Sequence, residues 1–386
     1  MIRHLLLSLF ILALPLAVGA QSADAIKIGT SQSLTGPYAE FGTEQLRGLQ
    51  MWVADVNARG ALLGRPVELV HYDDGSDASS SVEIYEKLVA QDSVDLLVGP
   101  YSSELTLQAS NVAEKHNMPM IASAASADQI WSRGLSNIFG IDTPSSNYMD
   151  IDENGEVFSL LDVKTIAVVA AKTEFTEDVV VGIRGYASRK GLKIVLDESY
   201  AQDQSDFSDV AGRLAQVNAD VIFGISYLDD SVALVRALKL ANVKPKMLAF
   251  TVGPALREFG DRLGTDAEGV VGVVQWLRSV KRPGAQDFAY RYRQRYGINP
   301  GVHAAMGYSA GQVIEAAVRL AGTTEHDAVR NQLRTMEFTS LLGIYRVSET
   351  GRQEGKRNYL LQWQDDRRRL VSPPNLAERK LRFPLP

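Results

Sequence analysis

The chain has 386 residues, 45% of them hydrophobic, with no cysteine and a formal charge of −6 from 40 basic and 46 acidic residues. The missing cysteines exclude a disulfide framework, thiolate metal sites, a cysteine nucleophile and a lipidated cysteine anchor. The charges are interspersed, which excludes the basic stripe of a nucleic-acid binder, and the length suggests two domains of roughly 150 residues each.

Arg3 and His4 open the chain, and the apolar stretch Leu5 to Ala17 that follows is too short to span a bilayer comfortably. Small residues at Val18-Gly19-Ala20 and Ala23-Asp24-Ala25 suit a signal peptidase. Residues 1–25 are therefore expected to be an export signal, cut after Ala20 or Ala25, rather than a membrane anchor. No later segment is apolar enough to span, so the mature chain is expected to be soluble and exported.

"AIKIGT" (Ala25 to Thr30) reads as a strand and "EQLRGLQMWVADVNARG" (Glu44 to Gly60) as a helix ending on glycine. Strand at Pro66 to Tyr72, helix at Ser80 to Gln91, strand at "VDLLV", helix from Glu104 to His116 and strand at Met118 to Ser123 follow. Asp142 to Val163 reads as a crossover, after which the rhythm restarts. Strands at Thr165 to Ala171, Lys193 to Tyr200 and Asp220 to Ile225 alternate with helices at Phe175 to Gly191, Phe207 to Val217 and Ser231 to Ala241. Beyond Pro283 come two or three helices and the closing strands "GIYRV" and "YLLQW". Arg367-Arg368-Arg369, after Asp365-Asp366, reads as a solvated turn, and the proline-rich tail 373–386 as poorly ordered. Such alternation implies two mostly parallel sheets, with a cleft beyond the carboxyl ends of their strands.

The stretch "VGPYSSELT" (Val98 to Thr106) places hydroxyls and backbone N–H groups at the end of a core strand. A helix N-terminus there carries orphan donors and about half a positive charge, which favours an anion. Ser103 is expected at the N-cap, presented by the tight turn of Gly99 and Pro100. Ordinary capping by Ser102 and Ser103, with no ligand, is the alternative at this point.

Other constellations are weaker. "GYSAG" (Gly307 to Gly311) formally matches a nucleophile elbow, but the Ala-rich flanks place Ser309 inside a helix and only His326 follows. "DDGSD" (Asp73 to Asp77) fails the calcium-loop spacing at Gly75 and reads as a turn and helix cap. His71, His116, His303 and His326 lack paired zinc spacing. No catalytic, metal or cofactor site is expected.

The segments "IKIGTSQSLTGPYAEFG", "VNARGALLGRPVELVHYDD", "LLVGPYSSELT", "MIASAAS" and "DFSDVAGRLAQVNADVIF", in this order, resemble the periplasmic binding proteins of branched-chain amino acid and amide ABC transporters. The likeness runs from Ile26 to Trp363. It implies an α/β fold of periplasmic binding protein type I, two-lobed, each lobe a mostly parallel sheet flanked by helices. The N-lobe would take residues 26–141 and 277–345 and the C-lobe 142–276 and 346–372. The resemblance implies a non-enzymatic, monomeric periplasmic receptor that hands a small carboxylate-bearing ligand to membrane permease subunits. The ligand class would be a branched-chain or other apolar amino acid, or an aromatic or aliphatic acid. A sensor of amides or amino acids that docks with a signalling partner is the alternative use of the same module; an exported serine hydrolase, resting on "GYSAG" alone, is a separate and disfavoured reading.

Position by position, the resemblance implies that Ser103, with Tyr101 and Ser102 beside it, meets the ligand carboxylate. Ala124 and Ser126 would follow from the next strand, Ser126 replacing the more usual threonine. Phe41 would pack on the ligand from one lobe, Phe175 and Tyr227 from the other. His303 falls where the family often has an aromatic near the cleft. Amino acid binders of this kind generally bring an acid from the C-lobe, yet "FTVGPAL" (Phe250 to Leu256) contains none. A buried ammonium without a counter-charge is costly. Asp229 and Asp230 are possible substitutes, though a solvated pair at a helix start is the simpler reading.

Overall fold

The computed structural model describes residues 24–149, 158 and 161–384. The expected export signal falls, up to residue 23, outside the described residues, as does most of the segment between Met149 and Leu161. Strands β1 (Ile26–Gln32), β2 (Val67–Asp73), β3 (Leu96–Val98), β4 (Met120–Ala122) and β5 (Ile138–Gly140) form one sheet in the order β2-β1-β3-β4-β5. Every pairing in it is parallel. Helices α1 (Ala39–Ala58), α2 (Ala78–Ala90) and α3 (Ser103–Lys115) and the short α4 (Gln129–Ser132) connect these strands. Strands β3, β4 and the edge strand β5 are buried throughout, as strands covered by helices on both faces must be.

The second sheet repeats this plan. Its parallel part comprises β6 (Thr165–Ala171), β7 (Lys193–Tyr200), β8 (Val221–Ile225), β9 (Met247–Phe250) and β10 (Val271–Val274). The connecting helices are α5 (Glu174–Lys190), α6 (Ser208–Val217), α7 (Asp229–Leu240) and α8 (Arg257–Leu263). The chain then forms α9 (Ala285–Tyr296), α10 (Val302–Ala321), α11 (His326–Thr335) and a separate pair, β11 (Phe338–Ser340) with β12 (Gly343–Tyr345). Finally β13 (Tyr359–Gln364) and β14 (Arg367–Ser372) add to β10 in antiparallel fashion, giving the order β14-β13-β10-β9-β8-β6-β7. The molecule is thus two-lobed and α/β, and in both sheets the strand order reverses beside the first strand, where a ligand crevice is expected.

Helices α1 and α10 cross closely because glycines line their contact. A Cβ at Gly307 would lie 2.0 Å from the carbonyl oxygen of Gln45, one at Gly48 2.0 Å from that of Ala304, and one at Gly311 2.1 Å from the Trp52 ring. The "GYSAG" stretch is therefore a packing motif. Ser309 lies buried inside α10, accepting a hydrogen bond from the Leu342 N–H at 3.2 Å, with no strand before it. His326 instead starts α11, its Nε2 3.0 Å from the Asp95 carbonyl. The same crossing holds Phe41, at the start of α1, against His303, at the start of α10, with ring centroids 5.1 Å apart.

Several expectations need correction. Helix α1 begins at Ala39, five residues before its expected start. Strands β5, β9 and β10 have no counterpart in the sequence reading, since short apolar runs among loops carry no clear period. Arg367–Arg369 belong to strand β14. The turn is Asp365-Asp366, whose φ values of 55° and 56° match a two-residue hairpin. The tail is not loose in its described part. Gln362 Nε2 donates to the Arg382 carbonyl at 2.7 Å, Gln364 Nε2 to that of Lys380 at 2.9 Å, and Arg382 pairs with Asp365 at 3.0 Å. "DDGSD" serves as turn and cap: Asp73 accepts from the N–H groups of Leu34 and Gly75, both at 2.9 Å, and Asp77 caps α2 through Ser80 N–H at 2.7 Å.

Candidate ligand-binding site

Between the two sheets lies a cavity with about 400 Å³ of free space, its open side included. One wall is the start of α3. The N-cap is Ser102, whose Oγ accepts from Leu105 N–H, and not Ser103, which is the first helical residue. Ser102 has φ 93° and ψ 163°, a region almost reserved for glycine and costing ~1–3 kcal/mol. Ser103 Oγ accepts the N–H groups of Ser126 and Ala127, both at 3.1 Å. Its own proton is left to donate into the cavity that it lines. Ser126 in turn shares a hydroxyl contact with Ser145 at 3.0 Å. Tyr101 and Ala124 pair as an isolated parallel bridge just beyond β3 and β4, so both loops present backbone to the same point.

Much of the remaining wall is aromatic. Tyr148 meets Phe175 edge-on at 5.1 Å, Phe175 meets Tyr227 at 6.2 Å, and Tyr227 meets Tyr38 at 5.9 Å. Tyr101 stacks on Phe41 at 4.9 Å and stands edge-on to His303 at 5.2 Å. Offset and edge-on rings at these spacings attract one another beyond their buried area. The Tyr38–Tyr227 contact runs from the start of α1 to the end of β8 and therefore crosses the cleft. So do the hydrogen bonds from Gln202 Nε2 to Tyr38 Oη at 2.9 Å and from Asp128 N–H to Asp178 Oδ2 at 2.7 Å. The lobes are closed on the cavity.

Burial controls the ionisable groups here. It pushes His303 down to about 3, which keeps the ring neutral, and Glu44 behind it up to about 7. The two are 3.9 Å apart, too far for a hydrogen bond. Asp142, 4% exposed, lines the cavity, and burial pushes its carboxyl up to about 7 against the opposing charge of Lys356. Lys356 is half-buried and donates to Gln275 Oε1 at 2.5 Å, where Thr143 N–H also arrives at 3.2 Å. Gln275, directly after β10, thus ties the segment that follows β5 to the one that precedes β13.

Of the residues singled out from sequence, Tyr101, Ser102, Ser103, Ala124, Ser126, Phe175 and Tyr227 all line this one cavity. Phe41 does not. It backs Tyr101 and faces the outer cleft together with Tyr38, Gln202 and Asp230. His303, left open between ligand contact and half-buried residue, is fully buried and lines the cavity. Asp229 and Asp230 are not a solvated pair. Asp229 is exposed and pairs with Arg262 at 2.5 Å, whereas Asp230 is buried, raised to about 6 by that burial, and accepts from Tyr200 Oη at 2.7 Å and Tyr227 N–H at 2.8 Å. Val252 is the part of "FTVGPAL" that lines the cavity. Asp142, Tyr148, Gln275 and Met306 also line it and were missed from sequence. Gln275 and Asp142 share a signal, a polar residue directly after a buried apolar run.

A profile of the periplasmic binding protein family matches residues 25–368. The chain is 26% identical to "Leu/Ile/Val-binding protein homolog 7" of Brucella suis biovar 1, over 99% of each chain. Among solved structures it resembles a leucine binding protein, LivK, of Thermotoga maritima, with TM-score 0.82 and 18% identity over 91% of this chain and 99% of that one. It also resembles an ABC transporter solute binding protein of R. palustris in complex with benzoate, with TM-score 0.78 and 21% identity over 94% and 97%. At such identities the two structures speak for the fold alone.

Proposed function

Because this chain belongs to the periplasmic binding protein family, a family of non-catalytic solute receptors, we propose that it is the periplasmic receptor of an ABC importer for a small carboxylate with an apolar body. The observation that carries this reading is the pairing, in one closed cavity, of the Ser102–Ser103 helix start and Ser126 with the rings of Tyr101, Tyr148, Phe175 and Tyr227. The helix start and its hydroxyls suit a carboxylate. The rings suit a branched or planar apolar body over a sugar. Relatives named for leucine, isoleucine and valine, and the benzoate complex, are similar proteins whose named ligands fit this description.

The same proposal takes the lobes as residues 26–141 with 277–345 and 142–276 with 346–372. A ligand touching both lobes favours the closed form, which permease subunits in the membrane then recognise on a monomeric receptor. Export would use the N-terminal signal, cut after Ala20 or Ala25. A thermal-shift screen of amino acids, amides, aromatic acids, aliphatic acids and sugars tests the ligand class. A ligand at a hundredfold excess over Kd stabilises the folded state by about 2.7 kcal/mol. Stabilisation by apolar carboxylates is the expected outcome; stabilisation by amides or polyols only refutes the carboxylate site.

A further inference from the structure

Asp142 is a buried acid on the cavity wall whose Oδ1 meets no hydrogen-bond donor. A buried carboxylate oxygen without a donor is unfavourable unless something else supplies one. Its place in the fold says what that something is. Ile141 N–H donates to the Ala122 carbonyl, and Tyr101 pairs with Ala124, so β3, β4 and β5 deliver Tyr101, Ala124 and Asp142 side by side along one sheet edge. With neighbouring strands about 4.8 Å apart, Asp142 stands roughly 10 Å across from the start of α3. One small molecule reaches both. The opposing cation, Lys356, acts on it through space and donates to Gln275 at 2.5 Å.

We propose that Asp142 selects, among the carboxylates this cavity accepts, those that also carry a hydrogen-bond donor, an ammonium or a hydroxyl, which reaches Asp142 while the carboxylate lies at Ser103. This rests on the carboxylate reading above. It also supplies, from the first segment passing between the lobes, the acid that "FTVGPAL" lacks. The burial that raises the Asp142 carboxyl to about 7 is relieved by such a donor. Because Asp142 adjoins Thr143 and Gln275, where the three inter-lobe segments meet, the donor would bind at the hinge itself.

The experiment is calorimetric titration of the full chain and of Asp142→Leu and Asp142→Asn with three matched pairs: leucine and 4-methylpentanoate, phenylalanine and 3-phenylpropanoate, 4-hydroxybenzoate and benzoate. In at least one pair the parent is expected to bind the donor-bearing member roughly ten- to a hundredfold more tightly, the range of a charge-assisted hydrogen bond. Asp142→Leu should close that gap while leaving the donorless partner's affinity within a few-fold of the parent's. Asp142→Asn separates the donors: it closes the gap for an ammonium, which needs the charge, and keeps part of it for a hydroxyl, which needs only an acceptor. Should Asp142→Leu misfold, the Asn variant and the parent's own pairs decide. Carboxylates that bind the parent with no gap in any pair, or a gap that survives substitution, overturn the role of Asp142 alone. If none of the six binds the parent, the carboxylate reading fails and this inference with it.

Discussion

Ser103→Ala separates what the α3 start does for the fold from what it does for the ligand. Ser103 Oγ is the acceptor for two buried N–H groups, those of Ser126 and Ala127, at 3.1 Å each. Removing it orphans both, and a buried donor left unpaired costs ~1–3 kcal/mol. The space vacated by one oxygen admits at most partial repair by water, so the ligand-free protein should lose ~2–4 kcal/mol. The helix cap is untouched, because Ser102 supplies it. Ser102→Ala should therefore cost only ~1 kcal/mol. Losing the Ser103 hydroxyl donor should also weaken the carboxylate ligand by ~1.5–3 kcal/mol, roughly ten- to a hundredfold. Urea unfolding without ligand measures the first effect and calorimetric titration the second. A Ser103→Ala protein as stable as the parent refutes the double-acceptor role. One that is destabilised yet binds with parental affinity refutes the ligand contact and leaves the architecture standing.

Gly307→Ala pits helix propensity, which favours alanine by up to ~1 kcal/mol, against a Cβ placed 2.0 Å from the Gln45 carbonyl oxygen, where overpacking costs ~1–3 kcal/mol. Backbone cannot rotate away, so a net loss of ~0–2 kcal/mol is expected by thermal unfolding, and a stabilised variant would sink the close-crossing account of α1 and α10. At Asp220, burial is outweighed by hydrogen bonds from Lys164 N–H, Lys246 Nζ and Thr165, which hold the carboxyl down at about 2. Its folded pKa lies below the unfolded one, so its contribution, ~1–2 kcal/mol after allowing for partial exposure, is complete above about pH 4 and lost as pH falls toward 2. Asp220→Asn should thus separate from the parent at pH 6 and converge with it in acid; a gap that does not change with pH contradicts the assignment.

Much of this protein is legible in its amino-acid order because the responsible forces are local. Alternating apolar runs and amphipathic stretches specify α/β lobes, since a strand and its flanking helix must each bury a face. "VGPYSSELT" announces a helix start with hydroxyls because Gly99, Pro100 and the serines can do little else at the end of a buried strand. Phe175 and Tyr227 are singled out through the family resemblance and by no local pattern. Which serine caps the helix does not follow from local order: it depended on Ser102 adopting φ 93°, a conformation imposed by what surrounds it and disfavoured by its own side chain.

What only the tertiary structure decided is what distant segments do to one another. The Ala-rich flanks of "GYSAG" already place it inside a helix, but that its glycines seat α10 on α1 depends on Gly307 meeting Gln45, a contact between residues 262 positions apart that no local pattern encodes. Asp230 reads as a solvated helix-start acid until Tyr200 and the Tyr227 N–H enclose it. Asp142 sits in a stretch that the sequence marks only as a passage between lobes. It becomes a wall of the cavity because β3, β4 and β5 line up in space, and because Gln275 and Lys356 arrive from the other two passages. Propensity and periodicity act over a few residues and so determine elements. Burial and charge act through space, so the chemistry of the cleft appears only once the chain has closed on it.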